Sequence, residues 1–493
     1  GEMAFFFFIH RTKRQYPGLI EMFIEKTLSR LENELGDAER KLDRLQDELK
    51  PYARFDELLH EALAIAVNSQ QLTIAKTGIS EKLDSRVFVV EGWVSETNLK
   101  RAFEFAEELD VVAEEIKIEE SDPVPTCLEN EGYARIGEDL VHIYDTPSTN
   151  DKDPSLWVLC FFAIFFAIIV GDSGYGLFLL LTGGYLYYKY PNWSGGMQRF
   201  RKLLMILASV CVLWGVGSHA FFGVQFDLDS PFRKYSLFDT LAAKKAEYHL
   251  NARDDVYKDW VSQFPQIKNT TSGREAMAIG VVKKDNKVDH VIADKLSDAV
   301  AVEIALLLGV IHITISFFRN LKGSWAGIGW VFVLWGGYFY CASYLGSINM
   351  GNYLLGIPYS FGEIYGIEMS NWGLIAAVVL SLIQNRLMGL LEITVVIQLF
   401  ADVLSYLRLY ALGLSGSILS STVNDMAMAL SFGGGIVLLL GHAINILLAI
   451  MGGVIHGLRL NFLEWYHYSF EGGGRLFKPL RLIDSDYQNK RGR

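Results

Sequence analysis

Apolar positions along the chain follow two regimes that meet near residue 154. In the first, Leu28, Leu31, Leu35, Ala38, Leu42, Leu45, Leu49 and Tyr52 step alternately by three and four, with charged residues between them. That spacing predicts a coiled-coil seam of about four heptads, although an amphipathic helix lying on a globular domain has the same periodicity. Pro51 precedes the last seam member and a second helical pattern, FDELLHEALAIAV, follows, so a helix returning antiparallel beside the first is expected. Next come RVFVVEGWV, a β-type run, then SETNLKRAFEFAEEL with Ser95 as candidate N-cap, then VVAEEIKIEE. Strand, helix and strand predict a small α/β lobe beside the coiled coil.

From Pro154 onward apolar runs dominate, with candidate spans at 156–189, 203–226, 298–318, 326–346, 372–384 extended by its neighbours, 387–421 and 433–463. The first holds Gly171, Asp172, Ser173 and Gly174 in its middle and reads as one long tilted helix or two short ones. Loop charge separates these, because short loops rich in Lys and Arg stay cytoplasmic. Lys189, Arg199, Arg201 and Lys202 form one such loop, Arg319 and Lys322 another, Arg386 a third, and the tail from Arg475 a fourth; the loops at 347–371 and 422–432 have none. With the acidic N-terminal half cytoplasmic, these agree only when 156–189 crosses twice, at about 17 residues per crossing, the lower limit for a span. The expectation is a mostly α protein with about eight transmembrane helices and both termini inside. Residues 1–154 form a cytoplasmic coiled-coil and α/β lobe, 155–474 a polytopic membrane domain with an external loop at 227–296, and 475–493 a cytoplasmic tail.

Composition agrees with a membrane protein: 51% of the 493 residues are hydrophobic and 11 are proline, with a mean hydropathy of +0.22. The net charge of -11 is concentrated before residue 155 and gives no support for nucleic-acid binding. Cys127, Cys160, Cys211 and Cys341 are scattered and read as small hydrophobes rather than a disulfide frame. The opening GEMAFFFFIH lacks a charged segment before a cleavable apolar run, so no signal peptide is read, and the natural start is expected upstream. No Gly-rich phosphate loop and no metal-ligand spacing occurs, so neither cofactor nor metal is expected, and any ATP belongs to another chain.

Arg408 sits inside the apolar DVLSYLRLYAL. A guanidinium at the centre of a spanning helix costs about 2.5 to 3.5 kcal/mol on insertion scales, which makes it a functional candidate. Thr394, Gln398, Ala401, Ser405, Arg408, Leu412, Ser415, Leu419 and Thr422 share one helix face, mostly small or polar. A second such stripe, His442, Asn445, Ala449, Gly452, His456 and Arg459, carries a second arginine. Two wet faces point to an ion path between or beside two helices. The alternative is structural: the arginines snorkel, or pair with a carboxylate such as Asp402 or Glu392. Asp402 lies roughly 240° round the helix from Arg408, which disfavours pairing within the helix. Glu392 fits an aqueous path or the interface equally. Asp172 reads as a polar break in a membrane hairpin or a cavity residue, and Glu303, with His312, chiefly as a satisfied structural group that is also a possible cavity residue.

SYLRLYALGLS at 405–415, HGLRLNFLEW at 456–465, VGDSGYG at 170–176 and EGWV at 91–94 together resemble the a/I subunit of V-type and A-type rotary ATPases, in the family's order and over nearly the whole chain. The resemblance implies a non-catalytic stator subunit of a prokaryotic inner (plasma) membrane complex, coupling H+ or Na+ flow to ATP hydrolysis or synthesis on other subunits. It implies contacts with rotor-ring proteolipid (c/K) subunits, peripheral-stalk E/G-type subunits, the central-stalk d/C-type subunit and membrane lipids. Arg408 matches the family's essential arginine facing the rotor, and Arg459 and His456 match residues lining or ordering a half-channel. Ser405, Gln398, Glu392, His442 and Asn445 complete the candidate ion-translocation set. The chain departs from eukaryotic members at Gly416, where they carry histidine, and at Ala449, where they carry glutamate, which leaves the ion open. A stand-alone secondary transporter, or a membrane tether with structural arginines, are the other readings; no inverted repeat supports the transporter.

Overall fold

The computed structural model describes residues 28–49, 52, 55–82, 87–119, 122–193, 195–284, 287–386, 389 and 393–483. Among these, the residues up to 90 with 480–483 form one unit, and 91–479 another. The first unit contains helix α1 (Leu28–Leu49) and helix α2 (Asp56–Thr77). Strands β1 (Ser80–Lys82) and β2 (Val87–Val89) then pair antiparallel, Ser80 opposite Val89. The seam is helical as expected, but α2 does not close on it: Leu35, Leu42 and Leu45 stay 60%, 56% and 48% exposed, as do Leu58, Leu63 and Ile74 of α2. One chain supplies one strand of such a seam, and a coiled coil needs a second to fill its holes.

In the second unit a 3-10 turn, Glu96–Asn98, leads into α3 (Leu99–Glu108) after Ser95. Ser95 contacts the Thr97 hydroxyl and accepts from the Asn98 amide instead of capping the backbone. The strand expected over VVAEEIKIEE is absent among the described residues; that stretch is unpaired, with Val112 95% exposed. Among the described residues the expected strand–helix–strand lobe is therefore not completed, since no strand pairs with 111–119. Strand β3 (Pro125–Thr126) instead pairs in parallel with β6 (Arg475–Leu476). Helix α4 (Ala134–Tyr144) packs on the start of α5, where a Cβ on Gly137 would meet the Ser155 carbonyl.

Helices α5 (Ser155–Val170) and α6 (Ser173–Lys189) replace a single long span, broken at Gly171, whose φ of +64° suits glycine, and at Asp172. Asp172 caps α6, accepting from the Gly174 and Tyr175 amides at 2.7 and 3.1 Å. Helix α7 (Gly195–Gly217) runs back along α6 and also packs on α5. A small domain follows, with α8 (Pro231–Lys234), α9 (Leu237–Ala252), α10 (Asp255–Gln263), α11 (Gly273–Ile279) and the hairpin β4 (Val282–Lys284) and β5 (Lys287–Asp289). The bundle resumes with α12 (Val291–Arg319), α13 (Ala326–Tyr344), the short α14 (Met350–Leu354) and α15 (Tyr359–Phe361), a π-turn at Gly362–Gly366, and α16 (Ile367–Asn385). Helices α17 (Val395–Ser405), α18 (Leu407–Ala429) and α19 (Gly434–Arg459) complete it. Among the described residues, six helical stretches of 19 to 35 residues are long and apolar enough to cross a membrane; the α5 run is apolar but shorter, at 16 residues.

The basic loops gather at one end. Lys152 and Arg319 exchange side-chain bonds to each other's carbonyls at 2.7 Å, Arg199 holds Asp139, Asn320 donates to the Tyr468 carbonyl, Gln384 donates to the Gly323 carbonyl, and Asp151 accepts from Gly472. The chain leaves this end along α5 and returns to it along α6. At about 1.5 Å per residue, the 29 residues of α12 span roughly 43 Å from the opposite end, at Val291, to this one, at Arg319. The small domain packs at that far end, around Ala242, Ala246, Ile267, Met277 and Ile292.

Arg233 grips Asp239 with two bonds of 3.0 and 3.1 Å, both side chains 6% exposed. Arg233→Ala leaves a buried carboxylate without its main partner, which costs about 3 to 5 kcal/mol; limited proteolysis is expected to cut 227–296 much faster than in the wild type. Burial pushes the His249 imidazole below its ordinary value against the opposing pull of Asp254, and the His219 imidazole likewise against Asp239. A depressed value means that the unfolded chain takes up protons first, so this stability is complete above about pH 6.5 and is lost as pH falls. Hydrogen-exchange protection factors within 237–260, taken relative to the intrinsic rate at each pH, are therefore expected to fall from pH 7.5 to 5.5, and His249→Asn to flatten the dependence.

Candidate functional site

Arg408 owes its position to Tyr406, which separates α17 from α18. The backbone tightens there: Tyr406 N bonds the Val403 carbonyl and Leu409 N bonds the Tyr406 carbonyl. The Tyr406 ring is fully buried and its hydroxyl meets His312 Nδ1 at 2.7 Å. His312, also fully buried, stacks flat on Trp465, with centroids 5.4 Å apart, and lies against Phe161. This aromatic plug fixes the turn from which Arg408 emerges, its side chain 25% exposed.

Facing it is a carboxylate that the helical stepping did not single out. Beyond Arg459 the last helix widens into a π-turn, Leu460–Trp465, which carries Glu464, its side chain 4% exposed, to the Arg408 guanidinium. Arg408 Nη1 and Glu464 Oε1 stand 3.9 Å apart. Arg459 and His456 lie within Coulombic reach of Arg408, Arg459 exposed and His456 half-buried. Asp402 is not the partner of Arg408: it accepts from Gln398 Nε2 at 2.8 Å and from the Tyr468 hydroxyl at 2.6 Å. Ser405 returns its hydroxyl to the Ala401 carbonyl. Glu392 lies outside the described residues.

His442 and Asn445 belong to a second cluster, toward the end of the bundle that holds the small domain. Asn445 Nδ2 donates to the Tyr175 hydroxyl at 2.9 Å and to the Gly416 carbonyl at 2.9 Å. The Tyr175 hydroxyl meets His442 Nδ1 at 2.7 Å, His442 Nε2 meets Asn424 Oδ1 at 2.9 Å, and Asn424 donates to the Phe222 carbonyl at 2.7 Å. With Asn424 donating to the Phe222 carbonyl, its Oδ1 accepts, so His442 Nε2 carries a hydrogen. Tyr175, Gln225, Ser421, Asn424, Asp425 and His442 line a cavity of about 1160 Å³ whose other walls are chiefly apolar. Asp172 lies beside it, accepting from Gly223 N at 3.3 Å as well as capping α6. Glu303 joins neither cluster: it forms an ion pair with Lys245 of α9 and accepts from the Tyr353 hydroxyl at 2.9 Å, tying the small domain to α12. Among the described residues no group of three or more acidic, His or Cys side chains is placed to hold a metal.

Sequence reasoning thus missed Glu464, Tyr406 and Tyr175. Glu464 stood in the motif HGLRLNFLEW, but a periodicity of 3.6 carries no sign of a π-turn, and only that wider turn aims it at Arg408.

No protein-family model matches the chain. It is 42% identical to the V-type ATP synthase subunit I of Chlamydia muridarum, over 94% of this chain and 73% of that one. It is 39% identical to the subunit I of Chlamydia pneumoniae, over 94% and 71%. The A-type ATP synthase subunit I of Methanocaldococcus jannaschii is 24% identical, over 92% and 64%. A likeness of this extent shows that the chain, a helical bundle with apolar helices long enough to span a membrane, belongs to the subunit I family of V-type and A-type ATP synthases.

Proposed function

We propose that this chain is the static membrane subunit of its rotary ATPase, forming the two ion half-channels against a rotor ring and coupling H+ or Na+ movement to ATP hydrolysis or synthesis on other subunits. The observation that carries this is the face of α17 and α18: Gln398, Ser415 and Thr422 are exposed along a helix apolar enough to span, with Arg408 in their line. Lipid is a poor solvent for such a stripe, and a moving partner bearing carboxylates is a good one.

The chemistry follows. A rotor carboxylate crossing lipid must be neutral or ion-loaded, because a bare charge there is costly. Contact with Arg408 favours its ionised form, so the ion leaves into the exit path. The standing charge of Arg408 also blocks a direct leak between the paths. The cavity at Tyr175 and His442 lies at the small-domain end and suits the outer path. Arginine serves where lysine does not, since it stays charged when partly desolvated.

The gathering of the basic loops at one end supports a cytoplasmic placement of that end, with 155–474 as the translocating domain, 227–296 outside, and residues 1–154 and 475–493 inside. The uncovered seam of α1 supports docking of a peripheral-stalk helix. A stand-alone transporter has no such need for either exposed face.

The test is ATP-driven ion pumping by the reconstituted complex carrying Arg408→Ala or Arg408→Lys, with hydrolysis and assembly followed in parallel. Both variants are expected to assemble and to pump at background level; pumping near the wild-type rate would return Arg408 to a structural role.

A further inference from the structure

We propose that Glu464 is a positioning residue for translocation: it keeps Arg408 at ion-pair range without bonding it, so the guanidinium leaves for each arriving rotor carboxylate and returns afterwards. This rests on the stator reading above.

The separation is the main observation. At 3.9 Å, Arg408 Nη1 and Glu464 Oε1 are beyond the roughly 2.7 to 3.2 Å of a hydrogen bond and too close for water to stand between them. Arg408 Nη1 and Glu464 Oε2 are both buried, and neither has a hydrogen-bond partner among the described residues. Buried charged atoms left in this state are costly, and an arginine and a carboxylate this close would ordinarily close into a bidentate pair. The backbone under each end is set, that of Arg408 by the plug of Tyr406, His312 and Trp465 and that of Glu464 by the π-turn, while the rotatable side chain of Arg408 stays free to swing between Glu464 and an arriving carboxylate.

Among the described residues, the surrounding groups leave Glu464 as the carboxylate near Arg408 with unused capacity. Asp402 is committed to Gln398 and Tyr468. The Tyr406 hydroxyl is committed to His312. Arg459 and His456 add positive or neutral groups, and the second arginine raises the need for a counter-charge. A closed pair would compete too well with the rotor carboxylate, and no counter-charge would make Arg408 hold that carboxylate too long. An open pair lies between these limits. Glu464 transfers no ion; it sets how strongly Arg408 pulls on the one that does.

The experiment measures ATP-driven pumping by the reconstituted complex across concentrations of the coupling ion, by varying pH and, separately, Na+, for Glu464→Gln and Glu464→Asp. Glu464→Gln removes the counter-charge without changing shape. It is expected to assemble and to need about three to ten times more coupling ion for half-maximal pumping, because Arg408 then favours the empty, ionised rotor carboxylate more strongly. Glu464→Asp, which widens the gap by one methylene, is expected to shift the same value in the same direction by less. A purely structural role would lower assembly or maximal rate and leave half-saturation where it was; an unchanged half-saturation in Glu464→Gln overturns the proposal. If that variant does not assemble, Glu464→Asp decides on the same reading. A silent Arg408→Ala beside unshifted Glu464 variants overturns this inference alone, whereas a pumping Arg408→Ala overturns the stator reading itself.

Discussion

In the stator role proposed above, an arginine inside a bilayer must be compensated without being immobilised if it is to act on a passing partner, and the surroundings of Arg408 fit that constraint. Full pairing with a carboxylate would satisfy desolvation and end its availability; no pairing would cost several kcal/mol. The distance between Arg408 and Glu464 is an intermediate solution. The backbone from which Arg408 emerges is held by neutral contacts, His312 between Phe161 and Trp465 and Tyr406 bonded to His312, while the side chain itself stays mobile. Apolar packing therefore sets an electrostatic quantity.

That stiffness depends on close helix approach. A Cβ on Gly413, five residues beyond Arg408, would stand 2.8 Å from the Ile168 carbonyl, and one on Gly453 would stand 2.7 Å from the Phe166 ring. Small residues let α18 and α19 both lie directly on α5, as small residues do at membrane helix interfaces generally. With both helices registered on α5, the two polar stripes open on neighbouring faces, one cluster near Arg408 and another near His442. The break at Gly171 and Asp172 then has a second use: the same residues that end α5 bring Tyr175 to His442 and Asn445.

Much of this was legible in the sequence, and the limits are physical. The spans were readable because burial in lipid demands long apolar runs, and the turn at 171–172 because loop charge required it. The polar stripes were readable because regular helices repeat. What escaped was whatever departs from regularity or depends on distant neighbours. The π-turn hides Glu464 from helical stepping, and the strand expected over 111–120 lacks a partner to pair with, though its residues favour one. Asp402 was a reasonable candidate partner by composition, yet Tyr468, 66 residues away, claims it.

Two features remain unsatisfied in the single chain, and they differ in kind. The α1 seam exposes Leu35, Leu42 and Leu45 to whatever surrounds it, where water penalises apolar area. The α17 and α18 stripe exposes Gln398, Ser415 and Thr422 on a helix built for lipid, where the penalty falls on polar groups. A heptad seam matches a partner that stays in register, since knobs fit holes in one alignment. A stripe of small polar groups around one arginine matches a partner that slides, since no side chain there locks into a pocket. Under the stator proposal the seam serves as a fixed attachment and the stripe as a moving contact, and the chain carries each in a separate unit.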